Sequence, residues 1–198
     1  MRPNLRLFSS CGDLSATFRA LPSDGITLRL ISEDNLAATY EWFGGFADSR
    51  PMREELMRNY LPRYENGRRT NVGFYSLVDT ELAGLTLLTV DSWEEKTGSA
   101  GADVLEHMRG RGITPRSKPH LFYLAFELLG LHRVTTGCLV SNLSSKRSIE
   151  KTAGFQLEGV LRESGVNEAG EFEDEYLDAI LRRDWRRLYD KARVEVLS

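Results

Sequence analysis

Two cysteines, Cys11 and Cys138, are all the thiols in 198 residues, and neither belongs to a CxxC pair or a Cys/His cluster. A disulfide framework and a structural zinc site are therefore excluded. No apolar run approaches the roughly 20 residues that a membrane-spanning helix requires; Leu85-Thr86-Leu87-Leu88-Thr89-Val90 is typical of the longest. Met1 to Asp13 lacks a sustained apolar core leading to a small-residue cleavage site, so no export signal is expected, and a reducing cytoplasm is the expected location. Neither sign of charge dominates. The 26 basic and 29 acidic residues leave a net charge of −3, spread along the chain, which gives no footprint for nucleic acid or an anionic membrane. What is present is a 41% hydrophobic chain without repeats or low-complexity segments, enough to bury the core of one domain.

Residues 1–25 end in the turn signal Pro22-Ser23-Asp24-Gly25 and read as an irregular arm or an added edge hairpin. From Ile26 to about Trp185 the pattern is that of a single domain, followed by a helical tail over 186–198. Ile26, Leu28 and Leu30 alternate with polar residues as a half-buried strand does. Ser32 caps a helix through Leu36, Ala37, Tyr40 and Phe43, and Pro51 starts a second, carrying Leu56, Met57, Tyr60 and Leu61 and ending near Gly67. Asn71 to Val78, Leu82 to Val90 and Ser99 to Leu105 form a three-stranded meander. A helix rich in apolar residues from Leu121 to Leu129 stops at Gly130. Arg133 to Val140 is a strand, Ser144 to Lys151 a short helix, and Phe155 to Arg162 with Phe172 to Leu181 a closing hairpin. This order predicts a mixed sheet with helices on its faces, and a ligand site where a strand feeds a helix at a break in the sheet.

Leu105 to Gly112 occupies that place. Between Glu106 and Glu127 there is no acidic residue, while Arg109, Arg111, Arg116 and Lys118 accumulate beside His107 and His120. Gly110 and Gly112, just ahead of a helix, let backbone amides and the positive end of the helix dipole face a pyrophosphate. Arginines add charge-assisted hydrogen bonds.

The run His107-Met108-Arg109-Gly110-Arg111-Gly112-Ile113 resembles the acetyl-coenzyme A signature of the GNAT N-acetyltransferases, Gln/Arg-x-x-Gly-x-Gly/Ala, with His107 at the Gln/Arg position. Ala125 through Val134, Asn142 through Ser145, Glu150-Lys151, Gly154-Phe155 and Leu157-Glu158-Gly159 resemble the branch that contains ribosomal-protein-alanine N-acetyltransferases. The resemblance spans residues 26–185. It implies an α/β fold of the α+β type, with a mixed, mostly antiparallel central sheet and helices on both faces, and an acyltransferase that uses acetyl-coenzyme A and no metal. It also implies that amides from Arg109 through Gly110, Arg111, Gly112 and Ile113 to Thr114 hold the pyrophosphate, that Val104 and Leu105 pair with pantetheine, and that Asn142 bonds pantetheine or the acetyl end. Ser145 is implied near the thioester sulfur, able to protonate the thiolate; Lys146 and Arg147 either reach the adenosine phosphates or face solvent.

In such an enzyme the amine attacks the thioester directly, so the protein aligns the reactants, stabilises an oxyanion and removes a proton. An α-amine of pKa ~7.7 to 8.0 needs less help than a lysine amine near ~10.4. The candidate bases are Glu163, Glu168, Asp103 and a water; relatives often carry a glutamate where Gly165 falls. Asp103 replaces a common aromatic and could also bind a cationic acceptor, and Asp178 stands where another aromatic is usual. Glu168, Glu171, Glu173, Asp174, Glu175 and Asp178 make the last hairpin acidic, which either attracts a cationic substrate or guards a sheet edge. The expected partner is a protein or peptide N-terminus, with a monomer or homodimer and no nucleic acid or membrane partner. A small amine of the aminoglycoside or polyamine kind is the alternative acceptor, and a coenzyme A-binding domain without transferase activity is a third reading.

Overall fold

A computed structural model describes residues 17–20, 25–31, 59–61, 63–188 and 194–197. The helix expected after Ser32 lies outside them. Eleven strands are described: β1 (Thr17–Ala20), β2 (Ile26–Leu30), β3 (Tyr64–Glu65), β4 (Arg68–Arg69), β5 (Asn71–Val78), β6 (Glu81–Ser92), β7 (Thr97–Val104), β8 (Arg133–Leu139), β9 (Gln156–Val166), β10 (Phe172–Leu181) and β11 (Val194–Leu197). Three α-helices accompany them: α1 (Ile113–Tyr123), α2 (Leu143–Lys151) and α3 (Arg182–Leu188). Nine strands form one sheet in the order β11-β1-β2-β5-β6-β7-β8-β10-β9, with β3 and β4 as a separate small hairpin. Every pairing in the large sheet is antiparallel except β7 with β8. The mixed, mostly antiparallel sheet expected from the sequence is the one observed.

Alternation along the strands sends successive side chains to opposite faces. Phe74, Leu88, Val90 and Ala100 go to the face covered by α1, where Leu121, Phe122, Ala125 and Phe126 meet them in the larger core. The rings of Phe126, Phe155 and Trp185 surround Phe122 at centroid distances of 6.1, 5.2 and 6.1 Å. Tyr75, Leu77 and Leu85 go to the other face and join Ile31, Tyr60 and Leu61 in a second cluster. Pro119 removes one donor from α1. The helix widens into a π-type turn over Leu124–Leu128, closed by the Leu129 amide on the Leu124 carbonyl at 2.9 Å, and gives way at Gly130 with φ 72°.

Two expectations are corrected. The helix described at Asn59 and Tyr60 does not continue to Gly67: Asn66 (φ 50°) and Gly67 (φ 74°) make the tight turn between β3 and β4. Two positive φ angles in succession are what an Asn-Gly hairpin turn supplies. Of the two readings offered for residues 1–25, the antiparallel pairing of β1 with β2 agrees with the added edge hairpin. The tail is not helical throughout: beyond α3, Val194–Leu197 is β11, which lies antiparallel to β1 at one sheet edge.

Candidate active site

The site begins where β7 and β8 part. Their parallel pairing covers Thr97–Arg133, Gly98–Val134 and Ser99–Thr135 and goes no further. At the crotch, Thr136 Oγ1 donates to the Ala100 carbonyl at 2.8 Å. From Gly101 to Val104, β7 stays paired with β6 but has no registered partner on its β8 side. A strand edge of this kind presents amides and carbonyls to any extended molecule that lies along it.

Beyond Val104 the chain makes a short 3-10 turn, Glu106–Met108, that buries Met108, then swings through Gly110 (φ 79°) and Gly112 (φ 69°) into α1. Both glycines occupy the left-handed region that disfavours side chains. The Arg116 amide makes the first helical bond, to the Gly112 carbonyl at 3.3 Å, so the amides of Gly110 through Thr114 lie ahead of that bond at the positive end of the helix. A Cβ placed on Gly110 would meet nothing within 4 Å. The loop is thus open at Gly110, which with Gly112 borders the groove. Arg109, whose Nε lies 3.4 Å from the Val104 carbonyl, bridges loop and strand.

Loop and strand edge line one continuous groove of about 1410 Å³. Asp103 lines its β7 side and accepts a hydrogen bond from the Tyr60 hydroxyl at 2.7 Å. Lys118, from α1, also lines it and is buried. Burial pushes its amine down to about 7, and the charge of Asp103 draws it part of the way back. On the β8 side are Cys138, Asn142 and Ser145. Burial pushes the Cys138 thiol up, while a hydrogen bond with Ser145 acts in the opposite sense. A thiol so shifted is a poor nucleophile near neutral pH. Asn142 caps α2, its Oδ1 accepting the Ser145 amide at 3.0 Å, which fixes the Ser145 hydroxyl at the helix entrance.

Comparison with solved structures matches the fold to N-acetyltransferases. A spermidine N-acetyltransferase chimera from Vibrio cholerae and hSSAT superimposes with a TM-score of 0.67 at 19% identity, covering 83% of this chain and 99% of that one. The Vibrio cholerae spermidine N-acetyltransferase in complex with CoA and spermine gives 0.65 at 20% identity, covering 82% and 99%. The fold is that of the GNAT acetyltransferases. In sequence, the aminoglycoside N(6′)-acetyltransferase type 1 of Klebsiella pneumoniae is 28% identical over 158 residues, 70% of this chain and 78% of that protein. The Serratia marcescens protein of the same name matches to the same extent. No protein-family model matches the chain.

Within the GNAT fold, the residues expected at the coenzyme site separate into two groups. Val104, Arg109, Gly110, Gly112, Ile113, Thr114, Asn142, Ser145 and Arg147 line the groove, as does Asp103. Leu105, His107, Arg111, Lys146 and Glu163 do not. Leu105 donates its amide to the Ala83 carbonyl at 3.0 Å. The His107 imidazole lies 3.6 Å from Glu81, away from the loop's open side. Lys146 turns inward to Asp178, with Nζ 3.1 and 3.4 Å from its oxygens, and lies over the Tyr176 ring at 4.6 Å. The aspartate at a position where an aromatic is usual thus forms a buried ion pair. Glu163 sits at an irregularity in β9 with φ 50°, its amide on Asp174 Oδ1, and its side chain exposed. A Cβ at Gly165 would press on the end of the Leu139 side chain, which would have to shift to admit a larger residue. Glu168 and Glu175 do face the groove. Tyr60 and Lys118 were not read as site residues from the sequence. Helical spacing carried a signal for Lys118: Leu121, Phe122 and Ala125, three, four and seven positions on, are all buried.

Proposed function

We propose that the chain is an N-acetyltransferase carrying the acetyl group of acetyl-coenzyme A to an amine of a small polycationic molecule, of the aminoglycoside or polyamine class. The observation that carries this reading is the groove, which runs from the glycine loop along the unpaired edge of β7 to Asp103. The loop amides and the entrance of α1 suit a pyrophosphate. The edge from Gly101 to Val104 suits the amides of a pantetheine chain, and the crotch at Ala100 is where such a chain would end.

The acceptor amine attacks the thioester carbonyl, the C–S bond breaks, and the proton lost by nitrogen ends on the thiolate. Ser145, whose hydroxyl lies by the groove, is assigned to that protonation. Asp103, Glu168 and Glu175 give the groove a negative lining that draws in and orients a polycation. Asp103, braced by Tyr60, is the carboxylate assigned to the incoming amine. The relatives named above act on aminoglycosides and spermidine, which supports the small-amine acceptor over the peptide N-terminus expected from the sequence.

Thiol release on mixing the protein with acetyl-coenzyme A and an aminoglycoside, spermidine or a peptide with a free N-terminus tests this reading. Turnover with a small polyamine and none with the peptide is expected. Turnover with the peptide alone would reverse the acceptor assignment, and coenzyme binding without release from any amine would leave a binding domain.

A further inference from the structure

Lys118 has no role in the chemistry above, yet it is the most unusual group in the groove. Its side chain is 2% exposed, and its Nζ has no hydrogen-bond partner among the described residues. Folded proteins give nearly every buried polar group a partner. A buried donor left open on the wall of a groove marks a place where a ligand supplies the missing acceptor.

The surroundings select that acceptor. Asp103 on β7 is close enough for its charge to act on the amine. A phosphate brought to the same spot would meet that carboxylate, and phosphates already have the open glycine loop. A neutral carbonyl meets neither objection. The route also fits, because the unpaired edge of β7 leads from the loop past Lys118 to the crotch.

We propose that Lys118 is the buried anchor for a carbonyl of the pantetheine-thioester arm, which reaches it along β7 and takes the hydrogen bond that the protein leaves open. This rests on the acetyl-coenzyme A reading of the groove. The contact couples binding to protonation. The free amine titrates at about 7, and a carbonyl acceptor favours the ammonium, raising that value in the complex. Affinity is therefore greatest below the free value and declines as pH rises through the bound one. Other charged groups with described side chains on the elements against α1 are Arg29 on β2, Glu81 and Asp91 on β6, Lys146, Arg147, Glu150 and Lys151 on α2, and Glu127 in the π-type turn, with Arg116 and His120 on α1 itself. Of all these and Asp103, Asp103 is the one whose charge registers at Lys118.

Calorimetric titration of coenzyme A into the full chain and into Lys118→Met, near pH 8 in two buffers of different ionisation heat, tests the inference. The unsubstituted protein is expected to take up protons on binding. Lys118→Met is expected to bind roughly tenfold more weakly, with heat independent of buffer. Pantetheine should show the same loss, whereas adenosine 3′,5′-bisphosphate should bind both proteins equally, which also establishes that the substituted chain is folded. Equal affinity and equal proton uptake in both proteins would overturn the proposal while leaving the acetyl-coenzyme A reading intact. A loss seen with the bisphosphate and not with pantetheine would overturn it by placing the amine at the phosphates. Failure of the unsubstituted protein to bind coenzyme A at all is a different result, and it removes the acetyl-coenzyme A reading itself.

Discussion

Gly112 holds φ 69° at the entrance of α1, and a Cβ there would come no nearer than 4.0 Å to Arg116 Cδ. Space within the protein does not demand glycine; the backbone angle does, and so would the phosphate proposed to bind there. Gly112→Ala is therefore expected to lower stability by about 1 kcal/mol in thermal denaturation, and to weaken coenzyme A binding about tenfold by calorimetry. At Asp103, the amide of Asp103→Asn can still accept from the Tyr60 hydroxyl 2.7 Å away, so shape is kept and charge is lost. Steady-state kinetics should show kcat/KM for a polycationic amine falling about a hundredfold, with a much smaller loss in coenzyme affinity. Both residues could be picked out from the sequence, Gly112 by its spacing from Gly110 and Asp103 by its departure from an aromatic. Lys118 and Lys146 were less visible, because each looks like one more cation in a basic stretch. What separates them is the partner, or its absence, across the fold: Lys146 finds Asp178, 32 residues away, and Lys118 Nζ finds no hydrogen-bond partner among the described residues.

The strands of the meander and closing hairpin were legible as elements because alternation is a local property. Ile26, Leu28 and Leu30 all point into the core from β2. The Asn66-Gly67 turn carried an equally local signal, but it followed a helical pattern that was read as running into it. β11 carried no such signal, since its place is set by β1, a segment more than 170 residues earlier. The contact between α2 and β10 is likewise tertiary. Lys146 and Asp178 have side chains 13% and 4% exposed, so removing one leaves the other buried without its counter-charge. Lys146→Met is expected to cost about 3 to 5 kcal/mol in denaturant unfolding. The double change Lys146→Met, Asp178→Leu is expected to recover most of it, because an apolar pair of similar volume needs no compensation.

For the molecule as a whole, Lys118 ties stability to pH. Its amine titrates at about 7 in the folded chain against an ordinary value of 10.5, so between those values the unfolded chain holds the extra proton. Stability from this group therefore rises as pH climbs through that window and is least at and below 7. In ligand-free protein, Lys118→Met is expected to melt above the unsubstituted chain at pH 7, by a few kcal/mol of stability, and the gap should close as pH approaches 10. Such a cost, carried by every copy of the ligand-free chain, belongs with the early end of the pairing between β7 and β8. Three residue pairs join the parallel strands, and past them the sheet lacks a neighbour along β7. A pantetheine arm bound as proposed would lie there as a temporary tenth ribbon of the sheet, recognised through its own peptide-like bonds and not by the identity of the small residues Gly101 and Ala102 beneath it. Bulkier residues at those two positions would then narrow the channel while leaving unchanged the kind of molecule it accepts.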